Sequence, residues 1–570
     1  MTTITNEPVR YTDARSGTGP ATFGQRHLWT KLAGMEPHTW PQNILQAAPV
    51  PAGLTVADVR DAIRELVLRH ETLRTRFRRT ADGVTQYLSA DGEIGCEIWE
   101  AAGEDAESTG RRAERELEQT NFDLATNAPM RALIGTLHGA PTVVMIVTSH
   151  IATDMLSARL VRQDLADLLA ARDKGEPDPE LPPRRQPLDQ AAYEATIDPA
   201  TTTRSLASWR TRLASAPPTM LGVRPDPPRP REFLRAELTS AALPLAANAL
   251  GQRHQVTSAV VLMAAEAVLL AHYADADRCA LQIAVGNRIA KETTWSAGIV
   301  RQHSLAVIDV RRASFAEVVH RTWSAWMHAQ RTGVYDTVAV DRVRAEVQTE
   351  RGVAVTLGSY FNDLRVQTRP DAAASPERIL AVADTTRFAW AEEYPSDYME
   401  FQLRFEDTMG GTRMSALVDT GAVPRNRVRE LLLGIERLLV WQATEGVAAD
   451  GPLTSGRLAA ITGMPAFEPA PVGWVRIDGS WVDVAAAGEL LALAADGAPS
   501  AVRQFGDRCL IGYVCGPVTP TLLHERCVAA LTGLSFGRRN ASCPTHYVVC
   551  EPGDCDWPDR PVLAQGSGRP

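Results

Sequence analysis

The segment PTVVMIVTS (Pro141 to Ser149) limits the possible folds more than any other stretch of this chain. It is a continuous apolar run of strand length, rich in β-branched residues. Such a run suits a central strand buried on both faces. Directly after it, Leu156, Leu160, Val161, Leu165, Leu168 and Leu169 keep helical spacing. His150 to Met155 therefore forms a strand-to-helix connection, and connections of this kind carry function unusually often.

The rest of the chain alternates in the same way. FGQRHLWTKLA (residues 23 to 33) reads as a short helix. Val56, Val59, Ile63, Leu66 and Val67 mark another, and Thr55 with Asp58 supplies a capping box. RHETLRTRF (Arg69 to Phe77) turns toward a strand, and a polar helix is predicted from Ala106 to Gln119. Thr257 to His272 is a strongly apolar helix. ALQIAVGNRI (Ala280 to Ile289) and RQHSLAVIDV (Arg301 to Val310) are predicted strands. Ser314 to Gln330 and Arg425 to Gln442 are helices, while YFNDLRV and MEFQLRFED add strands. The fold class is α/β, and 570 residues exceed what one hydrophobic core usually spans. A proline-rich, charged break, GEPDPELPPRRQP (Gly175 to Pro187), is the predicted first boundary. A second proline-rich strip, Ala216 to Arg231, is expected to run extended along the surface. The expected division is a disordered leader (1–20), two lobes (21–180 and 181–448) and a small α/β module (449–570).

Composition excludes several classes. Hydrophobic residues make up 45% and charged residues 22%, so the chain is globular. A net charge of -9 does not attract phosphate backbones, and no nucleic-acid partner is expected. No apolar run reaches the roughly 18 residues needed to cross a bilayer. The N-terminus lacks the apolar core of a signal peptide, so a cytoplasmic, membrane-free protein is expected. Of eight cysteines, Cys509, Cys515, Cys527, Cys543, Cys550 and Cys555 crowd the C-terminal region beside His524 and His546. None has CxxC spacing, and scattered reduced thiols with no metal are the expectation.

His150 and Asp154 have HxxxD spacing. On its own this is a weak signal, but its place between a buried strand and a helix strengthens it. The surrounding landmarks resemble those of the condensation domains of nonribosomal peptide synthetases. FGQRHLW matches the family's opening helix with Gln25 and Trp29, and RHETLRTRF matches RHExLRTxF. FDLATNAPMRA (Phe122 to Ala132) matches the phrase FDL followed by P-h-R-A. SHIATDM matches HHxxxDG, VGNRI matches a glycine-arginine turn with Arg288, and GIVRQHSLAVIDV loosely matches GxxVNxLPxR with Gln302 at the Asn. The resemblance covers roughly residues 20 to 445.

The resemblance implies two chloramphenicol acetyltransferase-like lobes in a V around a tunnel, into which phosphopantetheine arms of carrier proteins enter from opposite faces. It implies amide formation, or secondarily ester formation, between a carrier-bound thioester and an amine or hydroxyl acceptor. No cofactor is bound; the substrate rides on phosphopantetheine. Alignment of tethered reactants supplies much of the rate. A neutral imidazole, with a pKa near working pH, accepts or positions the nucleophile's proton. His150 is the expected catalytic residue. Asp154 is expected to hold the loop by pairing with an arginine, for which Arg69, Arg74 and Arg288 are the candidates.

Two core positions depart from the family pattern. Ser149 replaces the first His, and Met155 replaces the Gly that lets substrate approach the backbone. Both become candidates for shaping the acceptor channel. Heterocyclisation relatives place Asp where His150 stands, and the EGHGR-like segment of epimerisation relatives and the DFGWG segment of plant acyltransferases are absent. The tail, residues 472 to 563, weakly resembles the small C-terminal subdomain of adenylating enzymes. VRIDGSWVDV, CLIGYVCGP and CPTHYVVCE carry that likeness, with Asp559, Arg560 and Leu563 at its end. Trp557 stands where that family's catalytic Lys would be, so no adenylation is expected. With no carrier motif and no GxSxG in the chain, carriers in trans are expected, and the resemblance to a family that is usually one domain within a longer chain implies a monomer. A non-catalytic recruitment domain and a coenzyme A-dependent acyltransferase remain the alternatives.

Overall fold

The middle of strand Ala140–Ser149, Val143 to Val147, is continuously apolar because both of its faces pack against a core. In the computed structural model Val144 and Ile146 face one core and Met145 and Val147 face another. Residues 3–81, 83–101, 106–221, 232–288, 291–365, 374–394, 399–446, 451–465, 472–506, 508–533, 540–552 and 557–570 are described. The strand lies inside a six-stranded sheet, between Met130–Leu137 and Asn43–Pro49 and antiparallel to both.

One face of this sheet is covered by Val56–Arg69 and Met155–Lys174. Their Val59, Ile63, Leu66, Leu165 and Leu168 pack on Ile94, Ile134, Val144 and Ile146. Each such side chain contributes roughly 1.5–3 kcal/mol on burial. Thr55 caps the first helix through the reciprocal box with Asp58. Ala106–Glu118 covers the other face, setting Ala113 and Leu117 against Trp99 and Leu133. These elements belong to the first of two compact units, residues 1–202 with 285–302 and 334–337.

Residues 3–20 correct the expectation of a disordered leader. Thr3–Asn6 and Val9–Tyr11 pair with Gly92–Ala101, and Gly17–Pro20 pairs with Gly83–Leu88. Thr3 to Asn6 are all exposed, so backbone hydrogen bonds hold that strand and no apolar pattern announces it. The proline-rich break at 175–187 is not a unit boundary either. Arg185 N–H donates to the Glu292 carbonyl at 2.9 Å, and Leu188 of helix Pro187–Glu194 packs on Gly17. A Cβ at Gly17 would come within 2.9 Å of Leu188 Cδ1.

The second unit comprises 203–284, 303–333 and 338–570. Its seven-stranded sheet runs in the order Gln302–Asp309, Arg278–Val285, Ser359–Asp363, Phe401–Thr408, Gly411–Asp419, Phe233–Ser240, Arg387–Tyr394. Helix Ser258–Ala274 is buried on nearly every side, against Ala242–His254, Phe315–Arg331 and Arg425–Thr444. Glu266 sits on it fully buried, and neither carboxyl oxygen has a hydrogen-bond partner among the described residues. Of the predicted surface strip Ala216 to Arg231, residues 222–231 lie outside the described residues, as does Ile289 of VGNRI. Among the described residues no single helix is long and apolar enough to cross a membrane.

The C-terminal region forms its own small core within this unit. Hairpin Trp474–Ile477 with Ser480–Asp483 precedes a four-stranded sheet. Leu490, Leu491, Val514, Leu523, Leu531, Tyr547 and Val549 fill the space beneath the sheet's helices. The region is fastened to an earlier helix, Thr337–Arg351. Arg351 ion-pairs with Asp478 at 2.7 Å, and His524 Nε2 lies 2.7 Å from the Thr349 carbonyl. Gly352, at φ +69°, has Cys543, His524 and Arg569 within 3.1 Å of where a Cβ would stand. The seven described cysteines are free thiols, and Cys555 lies outside the described residues. No group of three or more His, Cys, Asp or Glu forms a metal-binding cluster among the described residues.

Candidate active site

The site is built where strand Ala140–Ser149 ends. A tight turn closes with Ala152 N–H donating to the Ser149 carbonyl at 2.9 Å. Thr72 Oγ1 donates to the Ala152 carbonyl at 2.6 Å, and the hydroxyls of Thr148 and Thr153 meet at 2.6 Å. These contacts fix the turn from three sides, and the helix Met155–Lys174 starts immediately after it.

Asp154 is the N-cap of that helix. Its Oδ1 accepts from Ser157 N–H at 2.8 Å and from Ser157 Oγ at 2.7 Å. Arg288 Nη2 reaches both carboxylate oxygens, at 2.9 and 3.1 Å. Burial alone would raise the Asp154 pKa, but Arg288 and the Ser157 donors outweigh it and hold the carboxyl below its ordinary range. Arg288 is positioned in turn by the Thr293 and Ser296 carbonyls, each at 2.8 Å. Asp154 thus closes a buried network and has no oxygen to spare for chemistry.

His150 is partly buried. Its Nδ1 lies 2.7 Å from the Thr153 carbonyl, and its Nε2 lies 2.8 Å from Arg301 Nη2. A carbonyl only accepts and a guanidinium only donates, which assigns the tautomer. Nδ1 carries the proton, and Nε2 presents a lone pair. Burial first, and then the Arg301 charge, pull the ring's pKa down to about 3, well below the near-working-pH value expected from the sequence, so the imidazole is neutral but a weak proton acceptor while Arg301 sits on it. His27 and Lys31 lie close by on helix Phe23–Ala33. Burial, Lys31 and Arg301 push the His27 pKa well below its usual value.

Of the three arginine candidates, only Arg288 meets Asp154. Arg69 pairs with Glu65 at 2.7 Å and Asp164 at 3.1 Å, and His70 joins Asp164 at 2.8 Å. Arg74 is buried on the Arg15 and Ser89 carbonyls, with its guanidinium over the Tyr11 ring. Arg69 therefore ties helix Val56–Arg69 to helix Met155–Lys174, and Arg74 holds the backbone at Arg15 and Ser89. Ser149 is buried at the strand end, and Met155 is the partly buried first residue of the helix. Gln302 is buried too, donating to the Tyr335 carbonyl at 2.8 Å.

Arg301 and His27 were not legible as site residues in the sequence. The one signal was a basic residue just before the apolar strand Gln302–Asp309, at the place where the loosely matched family pattern carries Val.

A family model described as Condensation domain matches residues 16–357, more than half of the chain. Chondramide synthase of Chondromyces crocatus is 24% identical over 375 residues, which are 63% of this chain and 9% of that protein. The chain therefore spans less than a tenth of that relative's length. Among solved structures, a condensation domain that mediates chain release from the enacyloxin polyketide synthase superposes with a TM-score of 0.60 at 20% identity, covering 79% of this chain and 86% of that one. The X-domain in complex with OxyB from teicoplanin biosynthesis gives 0.58 at 18% identity, covering 77% and 97%. Similarity at this level of identity concerns the fold, the chloramphenicol acetyltransferase-like α/β fold of condensation domains.

Proposed function

The chain belongs to the condensation domain family, and from that premise we propose that it joins a carrier-bound acyl or aminoacyl thioester to an amine acceptor, with His150 receiving the nucleophile's proton. The amine nitrogen attacks the thioester carbonyl, a C–N bond forms, and the C–S bond breaks. The proton leaves nitrogen for His150 Nε2 and passes on to the departing phosphopantetheine thiolate. The observation that carries the reading is the tautomer of His150: Nδ1–H is tied to the Thr153 carbonyl, so the lone pair is on Nε2. A thioester is already activated, so a neutral, oriented acceptor for one proton is what the step needs. Asp154 and Arg288 act at one remove, by fixing the turn that carries the ring.

The carrier is expected in trans, and the acyl group is expected on its phosphopantetheine. Incubation of the full chain with an acyl-loaded carrier protein and an amine should give amide, detected by mass spectrometry. His150→Ala should lower the yield by roughly 10²–10⁴-fold. An undiminished yield from that variant would remove His150 from the mechanism. Turnover of an acyl coenzyme A with no carrier present would favour the coenzyme A-dependent alternative.

One observation favours a second reading, a recruitment domain without catalysis: Arg301 occupies the Nε2 position in the resting structure. That reading predicts carrier binding with no product, and the same binding in His150→Ala.

A further inference from the structure

Arg301 Nη2 donates to His150 Nε2 at 2.8 Å, and that nitrogen is the atom to which the nucleophile's proton must go. One lone pair cannot hold both hydrogens, so the guanidinium must withdraw before the proposed reaction proceeds. Any group that moves it must bind the withdrawn arrangement better than the resting one. A neutral acceptor offers no such difference. A carboxylate does, because its charge-assisted hydrogen bonds to a guanidinium are roughly twice as strong as those of neutral partners, and the two planar groups match fork to fork.

The surroundings favour an anion as well. His27 and Lys31 stand one turn apart on helix Phe23–Ala33, and Lys31 and Arg301 both depress the two imidazoles nearby. The neighbouring carboxylate, Asp154, has its oxygens engaged by Arg288 and Ser157. An incoming negative charge is attracted to this region, while a cationic ammonium is pressed toward the free amine that attack requires.

We propose that Arg301 recognises a carboxylate borne by the acceptor, and that this carboxylate draws the guanidinium off His150 as the amine takes its place. The inference rests on the reading of His150 as the proton acceptor. The carboxylate belongs on the acceptor because the base is then uncovered only when a nucleophile is present. A donor-borne carboxylate would expose it to water beside a thioester. The shared chemistry is an amine with a nearby carboxylate, found either in a free amino acid or in the acidic side chain of a carrier-bound aminoacyl group.

Both sources are testable with the full chain. Calorimetric titration with the proteinogenic amino acids and their primary amides addresses the first, and aspartyl-loaded against asparaginyl-loaded carrier protein addresses the second. In at least one arm the carboxylate form should bind about 10-fold more tightly than the amide. The ratio should fall below about 3-fold in Arg301→Gln and recover only in part in Arg301→Lys, which keeps the charge but lacks the planar fork. Absence of discrimination in both arms overturns the proposal, as does a ratio that survives Arg301→Gln. His150-dependent product formed equally from both forms also overturns it while leaving the catalytic reading intact. Discrimination lost in Arg301→Gln, with no product from any acceptor, supports the carboxylate site and removes the base.

Discussion

At the scale of single residues, burial and charge explain two unlike groups in the same terms. Glu266 lies inside an almost wholly apolar helix, and burial holds its carboxyl neutral, with a pKa well above the ordinary value. In the unfolded chain the same carboxyl ionises above about pH 4–5. The native state cannot follow, so the penalty grows as pH rises from the unfolded pKa toward the folded one. Glu266→Leu should therefore stabilise the protein, by about 1–3 kcal/mol near neutral pH from the two unpaired oxygens removed. Its advantage should be larger at pH 8 than at pH 4, which melting curves at the two values will check. A variant that melts lower than the parent at pH 8 would mean the carboxyl has a partner. At His150, by contrast, burial and the Arg301 charge act in the same direction and favour the neutral ring. His150→Ala is expected to cut product formation while shifting the melting midpoint little, because the turn is held by Thr72, Thr148 and Thr153.

At the scale of elements, Asp154 does two jobs, capping helix Met155–Lys174 and pairing with Arg288. Asp154→Ala leaves a buried guanidinium without its carboxylate and should cost about 3–5 kcal/mol. Asp154→Asn retains a capping oxygen and should cost less. The folded carboxyl is held below its unfolded pKa, so its contribution is complete above the unfolded value near pH 4 and fades as pH falls through the folded one. Urea unfolding at pH 7 and near pH 3 should show the gap between parent and Asp154→Ala closing at the lower pH. Helix Val56–Arg69 was readable from its side-chain spacing and its capping box, and Ser258–Ala274 from its continuous apolar run. The strands Thr3–Asn6 and Gly17–Pro20 were not. They are held by backbone pairing to distant strands, and their side chains carry no apolar pattern.

At the scale of the whole molecule, the C-terminal region is packed into the second unit through Arg351, His524 and the close approach at Gly352. Gly352→Val should unseat it, since a Cβ there meets Cys543, His524 and Arg569 and the backbone lies in the left-handed region. Calorimetry should show the transition of the second unit lowered and broadened, and a chain ending at residue 446 should show the same loss. An unchanged transition in the shortened chain would mean that the region contributes nothing to the stability of its neighbour.

Much of the α/β alternation, the capping box at Thr55 and the position of His150 between a buried strand and a helix follow from the sequence alone, because periodicity and capping are encoded by residues within a few positions of one another. The partners of the site do not. Arg288 meets Asp154 across 134 residues, and Arg301 meets His150 across 151. Three arginines were equally eligible by residue type, and only the packing of distant segments selects one. The same packing sets Arg301 on the imidazole, since a charge-assisted contact depends on separation in space and leaves no mark in local spacing.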